Sequence, residues 1–512
     1  MWYVIFFLFP CLIYSAPLSL QDKLMNLDPL SISEHLSFYD LYPEEEEGKK
    51  ALSHAWALLS CRSETQNSNP LFLPSVDLKP LITLITERTS SQKVVLTSQQ
   101  LQAIDTLSSH FYNRSLPGHY VWTKEELFNL PSEDIDLSRG LLIEQFNEDQ
   151  EQIMQYEASL DLMALQIQAR TPKDAAPQEL IQKINHFIFH EMRFHFPPHS
   201  LYAKDIDLYT FLPSVMDSRE GVCLGVSILY LSLAQRLGLP LEIITPPGHI
   251  YVRYQTKDTC INIETTARGV NYPDDLYLGI DTRKLQQRNL KEVIGFAYIN
   301  QASVAWGLND FKTAVTLYQK ARIYLPHDPL LNLLEGINSL FIGKIQEGRE
   351  LLLPLRNFTF DWAVSPETLI DDYFAKKVDI EGIKALFSHV DETRESILCK
   401  QKQLEQVLKK YPHFRSGLFQ RAICLMQLGR LKEAEQVLEG YHKLDPSSAT
   451  VEYYLAVIAK ERLNYKKAWH HYKIAEKLLT QRDHQCAVLQ ALRNDLKGYL
   501  IPFLFDRDNI NF

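Results

Sequence analysis

Apolar residues recur at a fixed interval in the last third of the chain. Ala422 and Ala456 are 34 residues apart (456 − 422), as are Ala434 and Ala468, and Leu438 and Tyr472. An earlier stretch carries Ala302, Ala314, Tyr318, Ala321 and Pro326 at the same internal spacings, and Gly336 opens a degenerate copy. A period of this length is that of a helix–turn–helix unit. Small residues let two antiparallel helices approach, and large ones such as Tyr318 and Tyr472 fill the groove between them. Pro326 or Pro446 ends the unit, because proline cannot continue a helix. One unit cannot bury its apolar face alone, so neighbours must stack. Residues 286–495 are therefore expected to form an α-solenoid, regular over 295–355 and 415–480, with a less regular insert at 356–395. The default role of such a curved surface is to hold a protein or peptide partner. The spacings resemble those of tetratricopeptide repeats.

Upstream the pattern changes twice. Residues 17–170 read as a helical N-terminal domain, with apolar residues at helical spacing in Ser98–Leu107 and Ile153–Ile167. Cys61–Pro70 is polar and reads as a loop. Arg170–Pro177 reads as a linker, and 171–285 as the next domain. There an amphipathic helix is expected over 178–193, a Pro-Pro loop at 197–198, a short helix over Leu212–Met216, and an apolar helix from Cys223 to Leu237. Three β-rich runs follow: Leu241–Ile244, His249–Tyr254 and Thr259–Glu264. Helices followed by successive short strands indicate an α+β domain with an antiparallel sheet.

This domain carries the chemistry. Cys223, inside Glu220-Gly-Val-Cys-Leu-Gly225, opens the apolar helix; His249 follows 26 positions later (249 − 223) and Glu264 another 15 (264 − 249). Thiolate, not thiol, is the nucleophile, and a helix N-terminus favours negative charge. His249 can take the thiol proton and return it to a leaving amine. Glu264, at the end of a neighbouring strand, can accept the second ring N–H and fix the tautomer. Gly221 and Gly225 permit close approach beside the cysteine. The backbone N–H of Cys223 is one candidate oxyanion donor, with Tyr209 or Ser218 as candidates for a second.

The run Leu212–Gly225, then Leu237-Gly-Leu-Pro240, Gly248-His249 and Asn262-Ile-Glu-Thr265, resembles the transglutaminase-like superfamily. It is similar in particular to the bacterial SirB-like branch, which tends to carry helical repeats downstream. The resemblance implies a papain-like core, with Cys223 as nucleophile, His249 as base and Glu264 as orienting acid in a cysteine peptidase or acyltransferase acting on a protein or peptide. The usual acid is Asp, so Glu264 departs from the pattern, although a longer carboxylate can make the same hydrogen bond. Some members of that branch have lost the cysteine; this chain keeps all three residues. The competing expectation is a non-catalytic scaffold that works through its repeats.

Composition narrows the rest. Acidic residues outnumber basic ones, 63 to 53, and no long basic block is present, which leaves nucleic-acid binding without an electrostatic footprint. The seven cysteines form no CxxC pair, which speaks for free thiols rather than a disulfide framework or a zinc ribbon. His186, His190 and Glu191, with His195 and His199, lack the HExxH order, so no metal is expected, and no cofactor. Asn113-Arg-Ser and Asn357-Phe-Thr fit glycosylation sequons. Residues 1–16 are apolar and aromatic, too short for a bilayer span of about 20 residues, and resemble the apolar part of a secretory signal. Export or envelope association is thus expected, with a cytoplasmic location as the alternative, no stable membrane span, and 496–512 as a tail.

Overall fold

The computed structural model describes residues 18–60, 76–86, 94–197, 209–391 and 393–499. The apolar leader, the Cys61–Pro70 loop, Pro198, His199 and the tail beyond residue 499 lie outside them. Most of the chain is helical, with one small antiparallel sheet. No helix among the described residues is long and apolar enough to cross a membrane.

The chain forms two compact units, one comprising residues up to Phe111 with Met154–Lys183, the other Tyr112–Ile153 with everything from Ile184. In the first, Thr97 caps the helix Ser98–Ser108 reciprocally with Gln100. The Gln155 side chain bonds both the N–H and the carbonyl of Leu96, at 2.9 and 2.8 Å, and Ser108 Oγ donates to Asp161 at 2.9 Å.

In the second unit the helix Cys223–Arg236 is buried along almost its whole length, as its unbroken apolar run requires. It packs against a four-stranded sheet of order β3-β2-β1-β4, with β1 Glu242–Thr245, β2 Tyr251–Gln255, β3 Cys260–Ile263 and β4 Gln286–Arg288, all antiparallel. The fourth strand is polar and three residues long, so its sequence carries no alternating apolar signal. The second strand starts later than the β-rich run from His249 suggests. His249 donates its N–H to the Pro246 carbonyl at 3.0 Å, closing a turn with Pro247 and Gly248 at its centre. Gly248 has φ +72°, which a type II turn requires at its third position. The expected helix over 178–193 is α-helical only over Pro177–Asn185 and continues as a wider π-turn over His186–Glu191. That widening places three consecutive residues, Phe187, Ile188 and Phe189, in the core.

The repeats are helix pairs: Leu290–Gly307 with Phe311–Tyr324, Pro329–Phe341 with Ile345–Leu352, Arg415–Gln427 with Leu431–Leu444, and Ala449–Glu461 with Tyr465–Thr480. The last two pairs keep the 34-residue offset (449 − 415 and 465 − 431). Ala302, Ala314, Ala321, Ala422, Ala434, Ala456 and Ala468 are all fully buried, because each stands where two helix backbones approach. The insert is partly regular. It holds two short helices, Leu369–Phe374 and Ile380–Leu386, and from Arg394 a long one to Lys410 that stacks on Arg415–Gln427. The stack ends on Ala487–Gly498, which buries Leu489, Leu492 and Leu496.

The first repeat is bonded to the core of its unit. Tyr298 Oη donates to Glu144 at 2.5 Å, Tyr324 Oη bonds the other oxygen of the same carboxylate, and a Cβ on Gly140 would lie 2.8 Å from Ile294. Of the two sequons, Asn113 is fully buried with its amide on Asp136 at 2.9 Å, so no glycan can be attached there in the folded chain. Asn357 is exposed.

Candidate active site

Cys223 is the first residue of its helix. Val222 before it offers no side-chain cap, so the opening N–H groups face outward without intrahelical partners. The loop that delivers the cysteine is pinned by backbone bonds. His195 N–H donates to Arg219 O at 3.1 Å, Gly221 N–H to His195 O at 3.1 Å, and Val222 N–H to Tyr209 O at 3.2 Å. Gly225 is needed for backbone rather than substrate: a Cβ there would lie 2.0 Å from the Tyr209 carbonyl oxygen and 2.8 Å from Val215. Gly225→Ala must push that loop away, and a loss of about 1–3 kcal/mol is expected in urea denaturation.

The sheet brings the other two residues to the same place. Val252 pairs with Ile263, so His249, just before β2, and Glu264, just after β3, leave the sheet at one end. His249 Nε2 meets Glu264 Oε2 at 2.6 Å, which leaves Nδ1 as the ring nitrogen that can meet the thiol. Burial pulls the imidazole pKa down, but hydrogen bonds to Cys223 and Glu264 outweigh it and push it up to about 10. Cys223 is half-buried, and the His249 side chain keeps 25% of its surface exposed.

Glu264 is buried and fully occupied. Thr266 donates its hydroxyl to Oε1 at 2.6 Å and its N–H to the same oxygen at 3.2 Å, while Tyr277 Oη donates to Oε2 at 2.6 Å. Burial alone would raise this carboxyl, but the donors from His249, Thr266 and Tyr277 hold it below its ordinary range, so it stays a carboxylate. Its backbone is anchored by Gly269 N–H on its carbonyl at 2.8 Å and its own N–H on Val270 O at 3.0 Å. The Tyr277 ring also stacks on His249, with centroids 5.9 Å apart, and on Tyr251 at 4.8 Å. Tyr277→Phe removes one donor to the carboxylate while keeping the stack; stability is expected to fall by about 1 kcal/mol, read by chemical denaturation.

Residues 154–287 match the transglutaminase-like superfamily. No curated protein matches the chain. Solved structures similar to it are proteins of helical repeats. One is YrrB, titled "a TPR protein with an unusual peptide-binding site", at 18% identity over 39% of this chain and 92% of that one, TM-score 0.22. A second is a thermophilic TPR protein of Thermus thermophilus, at 15% identity over 40% of this chain and 99% of that one, TM-score 0.22. A third is MamA of Desulfovibrio magneticus, at 16% identity over 37% and 97%, TM-score 0.20. The repeat architecture itself rests on the helix pairing described above.

Within the transglutaminase-like segment the structure brings Cys223, His249 and Glu264 together. It gives one of the two candidate second oxyanion donors other work: Ser218 Oγ donates to Ser214 O at 2.7 Å. Among the described histidines upstream, the His186 ring stacks on His190, with centroids 5.5 Å apart. His186 Nε2 lies 3.4 Å from Glu191 and His195 Nε2 lies 3.6 Å from Glu220. Residues that sequence reasoning missed are Tyr277, Thr266 and a tie between helix and loop, Ser227 Oγ to Thr265 Oγ1 at 3.0 Å, fully buried. Ser227 stands one helical turn after Cys223 and Thr265 directly follows Glu264, so this bond sets the nucleophile against the acid. Thr265 and Thr266 adjoin the motif and could have been suspected. Tyr277 lies 13 residues beyond Glu264 (277 − 264) in an aperiodic stretch that gives no signal.

Proposed function

We propose that the chain is a thiol-dependent acyl-transfer enzyme of the transglutaminase-like type, acting on an amide bond of a protein or peptide and passing the acyl group to water. The observation that carries this reading is the 2.6 Å bond from His249 to a buried, triply supported Glu264, with the imidazole also held by Cys223. In this reading Cys223 gives its proton to His249, and the resulting imidazolium, favoured by the raised imidazole pKa, returns it to the leaving amine.

In the reaction Cys223 Sγ attacks the carbonyl carbon, forming a C–S bond while the carbonyl π pair moves to oxygen. The Cys223 N–H, free of an intrahelical partner, is placed to stabilise that oxyanion. Collapse expels the amine, which takes its proton from His249, and leaves a thioester. Water then attacks, its proton passes to His249, and the acid product leaves as the C–S bond breaks. The half-buried setting of Cys223 supports this reading over a scaffold in which the cysteine is sealed in the core.

The test uses the chain's own controls. Cys260 and Cys399 are exposed free thiols. Iodoacetamide at pH 6 should alkylate Cys223 at least about tenfold faster than either, because only Cys223 has an imidazole beside it to take the thiol proton, with the rates read by peptide mass spectrometry. Equal rates at the three sites would sink the proposal.

A further inference from the structure

Tyr277 bonds the acid and stacks on the base, and its own place is set from outside the triad. β3 is an edge strand of the sheet, and the chain beyond Val270 is bonded to it. Asn271 Oδ1 accepts from Asn262 N–H at 3.0 Å, and the Tyr272 carbonyl accepts from Asn262 Nδ2 at 2.6 Å. One short helical turn follows, Asp274–Leu276, and Tyr277 N–H donates to Asp274 O at 3.0 Å. Tyr277 therefore moves with Asp274. None of the residues in that turn is buried, so apolar packing of the turn does not seat it.

Polar bonds do. Asp274 Oδ1 accepts from Arg253 Nη2 at 2.5 Å and from Asn262 Nδ2 at 2.8 Å. Arg253 and Asn262 are register partners across β2 and β3, and Arg253 Nε donates to Asn262 Oδ1 at 2.8 Å. Arg253 Nη2 also donates to Tyr251 Oη at 2.9 Å, and Tyr251 is the ring on which Tyr277 stacks. Arg253 thus reaches Tyr277 by two routes, through Asp274 and through Tyr251. Its side chain is mostly buried while that of Asp274 is partly exposed, so the pair is screened less than one wholly at the surface. Shielding a sheet edge takes only a charge or a short strand. This clasp does more, because it is continuous with the ring over the triad. Burial and the Glu264 carboxylate raise the pKa of the Tyr277 hydroxyl, which keeps it a donor to that carboxylate.

We propose that Arg253 and Asp274 are positioning residues for the acyl-transfer site: their ion pair seats the turn 274–276 so that Tyr277 covers the bond between His249 and Glu264 and keeps water from it. A hydrogen bond shielded from water is stronger and holds its partners more closely, and a small misplacement of a catalytic group is costly in rate. The effect on rate rests on the acyl-transfer reading given above; the effect on the bond itself does not.

The experiment uses the full chain and two readouts. In the first, the chain carries Cys223→Ala and ¹⁵N-labelled histidine, and NMR follows exchange of the His249 Nε2 proton with water, assigned by its loss in His249→Gln. That proton should be protected, and should exchange at least about tenfold faster when Asp274→Ala is added. With the thiol gone, this readout stands whether or not the chain cleaves amides. The second is amine release from a mixed library of fluorogenic peptidyl amides by the chain with its thiol. Asp274→Ala and Arg253→Gln should each lower kcat by about tenfold and leave KM within about twofold. In a Tyr277→Ala chain, Asp274→Ala should cost less than about twofold more, because the residue through which it acts is already missing. Melting temperature reports folding, and Asp274→Asn, which removes only the charge, carries the test if the alanine variant unfolds. An unprotected proton, exchange indifferent to the Asp274 substitutions, or a rate loss that multiplies with that of Tyr277→Ala would overturn the proposal. Amine release that survives Cys223→Ala would instead overturn the acyl-transfer reading, and the exchange rates would still decide this one.

Discussion

Replacing Cys223 by alanine should lower the release of amine from a mixed library of fluorogenic peptidyl amides by about a thousandfold or more. The side chain removed is the group that forms the C–S bond, and among the described residues no other thiol can take its place: Cys424 and Cys486 are buried, and Cys260 and Cys399 stand on the exposed surface outside the triad. The fold should survive. Residue 223 opens a helix whose burial is carried by Leu224, Val226 and the turns beyond it, and alanine is a good helix former. The decisive comparison is rate against melting temperature. A variant that melts with the parent chain and keeps a rate within a few fold of it would end the assignment of Cys223 as nucleophile.

Glu264→Gln should cost a factor of about 10² to 10⁴ in the same assay, the range seen when the acid of such a triad loses its charge. Both oxygens of Glu264 accept hydrogen bonds, Oε2 from His249 and Tyr277 and Oε1 from Thr266. Whichever way the amide is turned, its NH₂ group faces donors. The same substitution should change how stability varies with pH. His249 is raised above its ordinary 6.5 to about 10, so its contribution is complete below 6.5 and is lost as pH rises through about 10. Glu264 is lowered from its ordinary 4.5, so its contribution is present above 4.5 and is lost as pH falls below it. The melting-temperature gap between parent and variant should therefore be widest between about pH 4.5 and 6.5 and narrow towards pH 10. A gap that is flat across that range would show that the pair is not ionic. Glu264→Asp keeps the charge one methylene further away and should fall between parent and Gln variant.

Much of this was legible in the residues because it depends on local pattern. Alanine at 34-residue spacing specifies where helices meet, whatever surrounds them, and each of those alanines is fully buried. Gly248 marks the turn before His249 because only a residue tolerant of positive φ suits its place. The third strand, Cys260–Ile263, lies within the β-rich run and stops one residue before Glu264. The fourth strand and the π-turn escaped because their residues have no periodic signature of their own; one is shaped by its neighbour β1, the other by the core that three adjacent apolar side chains must enter.

What sequence alone determined is thus the order of the chemical groups and the local geometry around each: a cysteine at a helix start, a histidine behind a Pro-Pro-Gly turn, a carboxylate at a strand end. Only the tertiary structure decided what those groups do to one another. The register of β2 on β3 and the Ser227–Thr265 bond set their separation, and Tyr277, remote in sequence, reaches back to the same carboxylate oxygen as His249. The raised imidazole pKa followed from that packing, since the pull of Cys223 and Glu264 outweighs the burial that opposes it. Spacing can put three residues in order, but it cannot say in which direction the imidazole pKa moves, because that depends on distances and desolvation that exist only once the chain has folded.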